Sequence, residues 1–121
     1  MERRSNFKEA VAILAQKTGA PIFAAMLADG IPRPIHVGLH RVLKAQAPAG
    51  SRRAIDKALF RLSFSKRYLS ACLEPAAQRH DENGNPTGPV SPSHVDWARQ
   101  RLQMREQQSE RAAERRRETV A

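Results

Sequence analysis

The sequence has little that would fit an oxidising compartment or a membrane. It contains one cysteine, Cys72, so no internal disulfide can form. Cys72 lies between apolar neighbours, which favours a packed thiol over a catalytic one. No apolar run approaches the roughly 18 residues of a membrane-spanning helix, and the short apolar segment 10–15, followed by Lys17, does not fit a signal peptide. The most basic helices have small apolar faces, which argues against binding to anionic membranes. We therefore expect a cytoplasmic protein without a membrane partner.

Motifs of catalysis and cofactor binding are also missing. The sequence has no P-loop, no nucleophile elbow and no Cys/His zinc pattern. The one cluster with metal-like chemistry is His80-Asp81-Glu82, and it falls in a predicted turn, where Asp has local backbone uses. The other histidines are scattered. We expect no enzyme activity, no catalytic residue, no metal and no cofactor.

Acidic residues are scarce in the middle of the chain. Residues 41–79 contain nine Lys/Arg against Asp56 and Glu74, a net charge of +7 out of +9 for the whole chain. The residues after position 80 are equally rich in arginine, but acids balance them. Concentrated positive charge favours a polyphosphate ligand, since binding releases the counterions condensed on it. The charge pattern therefore indicates a nucleic-acid-binding module.

Hydrophobic spacing and turn residues predict a mostly helical α+β fold of about five helices and one small β-hairpin. The Asn83-Gly84 turn predicts the hairpin, with strands at 78–80 and 86–88. Apolar positions predict four helices before it, and Ser91-Pro92 begins the last one. The predicted helices cover about 7–18, 35–45, 52–62 with Ser51 as N-cap, a short one after the N-cap Ser65, and one from 92 onward. Residues 20–34, with three prolines, are predicted to form an ordered loop that buries Ile22, Phe23, Met26 and Leu27.

The predicted domain covers residues 1–104. Val37, Val42, Val95 and Leu102 are among its expected inward-facing residues. After Met104 the apolar face disappears, and glutamates and arginines form alternating stripes. We expect residues 105–121 to be a charged, solvated helical extension.

Two features of the basic segment have competing interpretations. Arg53, Lys57 and Arg61 are spaced four apart and form a stripe about 12 Å long on the predicted helix. The stripe could be an ordinary solvated face, but few acids lie near it in sequence, and Arg52, Lys66 and Arg67 are close; phosphate contact is favoured. Ser51 adds a helix N-terminus, which attracts phosphate.

Tyr68, the only tyrosine, has two interpretations. It is either a core residue with a satisfied hydroxyl or a pocket residue that stacks on or hydrogen-bonds a nucleotide.

The order of several short motifs is similar to that of the ProQ/FinO family of bacterial RNA-binding proteins. The resemblance covers about residues 7–103. It rests on RPIHVGL at 33–39, Ser51 with the basic helix ending in ALFRL at 58–62, KRYL at 66–69, Arg79, Asp81, GNPTG at 84–88, His94-Val95 and Ala98-Arg99.

The resemblance implies a compact RNA-binding domain that recognises structured RNA, typically the 3′ end and lower stem of a terminator-type hairpin. It also implies an RNA chaperone acting in post-transcriptional regulation by small RNAs. The RNA-binding residues that it and the charge pattern indicate are Arg33, His36, Ser51, Arg52, Arg53, Lys57, Arg61, Lys66, Arg67, Tyr68, Leu69, Arg79 and Arg99.

Within this set, Tyr68 and Arg79 would form the 3′ pocket, with Leu69 beside them. His36 stands where the family often has lysine. Asp56 and Phe60 occupy positions that are basic in well-known members, and Lys66 stands where tryptophan is common. We expect a monomer.

Two further functions compete with RNA binding. The helices at 52–62 and 66–72 could be a helix-turn-helix, which would indicate a DNA-binding or nucleoid-associated module, although their junction lacks the usual glycine. The last helix could instead serve a protein-interaction adaptor.

Overall fold

The computed structural model describes the backbone of residues 2–120 and the side chains of residues 7–119. Within this range the chain forms six α-helices and one two-stranded antiparallel sheet, which confirms the mostly helical fold with a small hairpin. The elements are α1 (Glu2–Thr18), α2 (Pro21–Asp29), α3 (Leu39–Gln46), α4 (Arg52–Ser63), α5 (Lys66–Cys72), β1 (Gln78–His80), β2 (Pro86–Pro89) and α6 (Pro92–Val120).

The core is built around α1 and α4. α1 packs against α4 and α2, α3 packs against α4, and α6 packs on α5. Ile55, Ala58, Leu59 and Leu62 are buried on one face of α4, as their spacing predicts. Burial of this face leaves the opposite, basic face of α4 in solvent.

The prediction of a loop over residues 20–34 is wrong for its first half, because α2 occupies Pro21–Asp29. Pro21 stands at the start of the helix, where its missing N–H is not needed, so it begins the helix instead of breaking it. Gly30 then ends α2 in the left-handed conformation and donates its N–H to the Met26 carbonyl. Leu27 is exposed, not buried.

The second predicted helix begins later than expected. Residues 34–36 are extended and pair with β1: Ile35 forms a parallel bridge with His80, and the His36 N–H donates to the His80 carbonyl over 2.7 Å. α3 therefore starts at Leu39, after Gly38 turns the chain with φ +87°. Val37 and Val42, expected to face inward, are 70% and 37% exposed.

Three predicted helix starts have different outcomes. The Ser65 hydroxyl accepts the Tyr68 N–H, as an N-cap should, and the Ser91 hydroxyl accepts the His94 N–H at the start of α6. Ser51 stands at the N-cap position of α4 but does not cap it through its side chain. It lies in a 3₁₀ turn, Ala49–Ser51, that continues into α4, and its hydroxyl makes no capping hydrogen bond. The change to extended backbone occurs earlier, at Pro48.

α6 is 29 residues long and passes through position 104 without a break. Ala98 is buried and Val95 and Leu102 pack against the core, as expected. Arg105 still donates to the Phe64 carbonyl over 3.1 Å, so contact with the domain reaches past the predicted boundary. That boundary stays a prediction. No helix in the described part of the chain is long and apolar enough to cross a membrane.

Candidate nucleic-acid interface

A single backbone residue, Ile35, joins the two side chains predicted to form a pocket. The Tyr68 hydroxyl accepts the Ile35 N–H over 3.0 Å, and Arg79 Nη1 donates to the Ile35 carbonyl over 3.1 Å. The Ser65 cap fixes the first turn of α5, which carries Tyr68, and β1 carries Arg79. The fold thus brings together three positions that are far apart in sequence.

Tyr68 is a core residue whose hydroxyl is hydrogen-bonded to the Ile35 N–H, which agrees with the first of the two interpretations. The side chain is 3% exposed, so the faces of its ring are not open to a stacking base. Burial raises the pKa of Tyr68 to about 12, and the hydroxyl is neutral at physiological pH. Leu69 is fully buried and contributes to the core.

The Arg79 guanidinium is a positive charge close to Tyr68, Cys72 and His94. Burial raises the pKa of the Cys72 thiol to about 11, and the positive charge of Arg79 opposes that shift. Burial and the same positive charge lower the pKa of His94, whose Nε2 is buried without a hydrogen-bond partner in the described residues. Arg79 therefore acts electrostatically on Tyr68, Cys72 and His94, and it sets a positive potential there.

Next to Arg79, the segment before α3 is joined to the hairpin. His36 Nδ1 lies 3.1 Å from Thr87 Oγ1, which ties the segment before α3 to β2. At the start of α3, the Leu39 N–H donates to the His36 carbonyl over 3.1 Å and the Arg41 N–H donates to the Gly38 carbonyl over 3.0 Å.

The hairpin turn itself has a structural use. The Asp81 carboxylate accepts the N–H groups of Asn83 and Asn85, which is the local role expected of an aspartate in a turn. No three His, Cys, Asp or Glu side chains gather as metal ligands among the residues that the structure describes.

The outer face of α4 carries exposed cations. Arg52, Arg53 and Lys57 are exposed, and the salt bridges of the described residues involve none of the three. Arg61, predicted to continue the stripe, forms a salt bridge with Glu9 of α1 over 2.8 Å. Asp56 on the same helix is paired with Lys44 over 3.1 Å. The free positive charge therefore lies toward the start of α4.

The remaining predicted cations are spread over other surfaces. Arg33 pairs with Asp29 just after α2, and Arg99 pairs with Asp96 on α6. Arg67 donates to the Gly30 carbonyl and lies over the Phe7 ring, while Lys66 is exposed at the start of α5.

A groove of about 880 Å³ lies away from Tyr68 and Arg79. It runs between the start of α5 and the α6 segment 102–110. Its lining carries both charge signs, with Lys66, Arg67 and Arg105 against Glu106 and Glu110. A polyanion gains less from such a mixed lining than from the cations of α4, so we place the candidate interface on α4 and the hairpin region.

Sequence reasoning missed Ile35, Thr87 and Glu9 as residues that organise the site. Ile35 acts through its backbone, which carries no side-chain signal. Glu9 and Arg61 are distant in sequence, and only the packing of α1 on α4 brings them together.

Comparison with known proteins gives one family and several relatives. The sequence model described as ProQ/FINO family matches residues 4–117. A protein named "RNA chaperone ProQ" from Aliivibrio fischeri is 28% identical over 105 residues, covering 84% of this chain and 48% of that protein. Proteins of the same name are 32% identical in Histophilus somni, over 84% of this chain and 47% of theirs, and 34% identical in Shewanella amazonensis, over 63% and 36%. The chain spans about half the length or less of these relatives.

Proposed function

Because the chain belongs to the ProQ/FinO family, we propose that it is a non-enzymatic RNA-binding protein, an RNA chaperone that recognises the 3′ end and lower stem of terminator-type hairpins. The observation that carries the proposal is that one domain has both an exposed cationic face on α4 and an arginine, Arg79, fixed next to Tyr68 by hydrogen bonds to the Ile35 backbone. In this proposal the protein acts as a cytoplasmic monomer in post-transcriptional regulation by small RNAs.

The α4 face would hold the stem through its backbone. Side chains cannot read bases in the deep, narrow major groove of A-form RNA, so a duplex is recognised by shape and by phosphate and 2′-hydroxyl contacts. Arg52, Arg53 and Lys57 meet the charge requirement, because no carboxylate of the described residues pairs with them. This contact would be independent of sequence and sensitive to salt.

The Arg79 region would hold the 3′-terminal nucleotide. A tyrosine hydroxyl that accepts one hydrogen bond can also donate one, so Tyr68 would act through its hydroxyl and not by stacking. Arg79 supplies positive charge for a phosphate. His36 and Thr87 would border the same nucleotide.

A gel-shift titration tests the proposal with three ligands at one salt concentration. The first is a terminator hairpin with a 3′ uridine tail, the second is the same RNA with a 3′ phosphate, and the third is duplex DNA of equal length. We expect tight binding to the first, a strong loss on 3′ blocking, and weak binding to DNA. Equal affinity for all three would mean that charge acts alone, and tighter binding to DNA would support a DNA-binding module.

A further inference from the structure

The basic face of α4 carries an exposed aromatic ring. Phe60 is 63% exposed, although three neighbouring apolar residues of the same helix are buried. Its ring packs on Phe64 with centroids 4.4 Å apart, and Phe64 meets Trp97 of α6 edge to face at 5.4 Å. These three side chains form an aromatic row from α4 to α6, and Phe60 is its solvent-exposed end.

The aromatic row is held from the α6 side. The Arg101 guanidinium lies 4.7 Å from the centroid of the Phe64 ring, a cation–π distance. Arg105 donates to the Phe64 carbonyl over 3.1 Å. Because Phe64 is fixed by these contacts, the Phe60 ring that packs on it is also restrained. A ligand that stacks on Phe60 would therefore pay only a small entropy cost for ordering this side chain.

The charge around the row is positive. Lys57 lies one turn before Phe60 on α4, and Arg101 and Arg105 reach the row from α6. The nearest acid on the helix, Asp56, is paired with Lys44. An apolar protein partner would gain little from this cationic border, whereas a single-stranded nucleic acid has both a π-face for the ring and phosphates for the cations.

We propose that Phe60 stacks on an unpaired base adjacent to the RNA stem, with Lys57 and Arg101 beside the flanking phosphates. This inference rests on the proposed RNA binding and adds a second contact site, at the α4–α6 junction, which shares no residue with the 3′ pocket. The 3′ tail is assigned to the Arg79 region, so the unpaired base is one on the 5′ side of the duplex, and a hairpin without a single-stranded 5′ flank would not use this contact.

The test compares wild type with Phe60→Ala and Phe60→Trp. Each protein is titrated with a hairpin that has a single-stranded 5′ flank and with the same hairpin without that flank, both with identical 3′ uridine tails. For the flanked RNA we expect Phe60→Ala to bind about tenfold more weakly, the size of one lost base–aromatic stack, and Phe60→Trp to bind like wild type. For the RNA without the flank we expect all three to bind equally.

Val42→Ala is the matched control, because Val42 is an exposed apolar residue on α3. It should bind both RNAs like wild type. A direct readout places 2-aminopurine in the flank: wild type should change its fluorescence more than Phe60→Ala does.

Other outcomes overturn the inference in distinguishable ways. Equal affinities of wild type and Phe60→Ala for the flanked RNA, or an equal loss for both RNAs, would exclude a stack on the flank while leaving the proposed function intact. A change in sedimentation of Phe60→Ala without a change in RNA affinity would assign the ring to a protein contact. If wild type binds neither hairpin, the proposed function fails and this inference fails with it.

Discussion

At the residue scale, the candidate 3′ pocket depends on two side chains that hydrogen-bond the backbone of Ile35. Tyr68 satisfies the Ile35 N–H and Arg79 satisfies the Ile35 carbonyl. Backbone groups that are covered by the fold need such partners, because an unpaired buried polar group costs free energy. Tyr68 therefore has a role in stability that precedes any contact with RNA.

Tyr68→Phe separates these roles. Removing the hydroxyl leaves the Ile35 N–H without its acceptor, which should lower the free energy of unfolding by about 1–3 kcal/mol. We expect weaker binding to the 3′ hydroxyl hairpin as well, since the hydroxyl is the proposed donor. Urea unfolding and gel shift on one preparation measure both effects.

Ser70→Ala is the control for that variant, because Ser70 is exposed on the same helix. It should match wild type in both measurements. Wild-type stability of Tyr68→Phe would show that Ile35 does not depend on the hydroxyl, and wild-type RNA affinity would remove Tyr68 from the pocket.

At the scale of elements, α4 serves two surfaces. Its apolar face is buried against α1 and α3, and its other face presents Arg52, Arg53 and Lys57. The salt bridge between Arg61 and Glu9 is half-exposed, a type that contributes roughly 0–1 kcal/mol. Its larger effect is on charge, since it neutralises the end of the stripe.

Lys57→Ala should therefore weaken RNA binding by electrostatics alone. We expect similar losses for hairpins of unrelated sequence, and a slope of log K against log salt that is smaller by about one. Affinities measured at four or more salt concentrations give the slope.

Arg117→Ala removes the same charge from the far part of α6 and is the comparison. It should leave the slope close to that of wild type. A Lys57→Ala slope equal to that of wild type would show that α4 does not neutralise phosphates.

At the scale of the whole molecule, α6 extends well beyond the core. Its 29 residues span about 43 Å, and most side chains after Met104 are exposed. Glutamates balance its arginines, so this part adds little net charge for a polyanion. The domain and its RNA-binding surface should therefore not depend on the last turns of α6.

Deleting residues 106–121 tests this expectation and keeps the Arg105 contact with Phe64. We expect a cooperative unfolding transition to be retained and hairpin affinity to be unchanged, because most of the deleted side chains are exposed. Circular dichroism during urea unfolding and gel shift measure the two. Loss of a cooperative transition would place the extension within the domain, and loss of cellular activity with RNA binding intact would favour an adaptor role for α6.

The sequence by itself determined the helical class, the hairpin and the location of the positive charge. Apolar spacing on α4, the Asn-Gly turn and the Ser65 and Ser91 caps are local signals, and local energetics decide them. The order of short motifs also predicted the family, which the match over residues 4–117 confirms. The local pattern gives the wrong prediction at α2, because Pro21 begins the helix instead of breaking it.

Only the tertiary structure decided which cations are free and how Tyr68 is used. Arg61 and Glu9 lie 52 residues apart, and Tyr68 and Ile35 lie 33 apart. Such contacts exist because helices pack in a particular register, and no short-range pattern encodes that register. The same packing exposed Phe60, Val37 and Leu27, since a side chain is buried only when another element covers it.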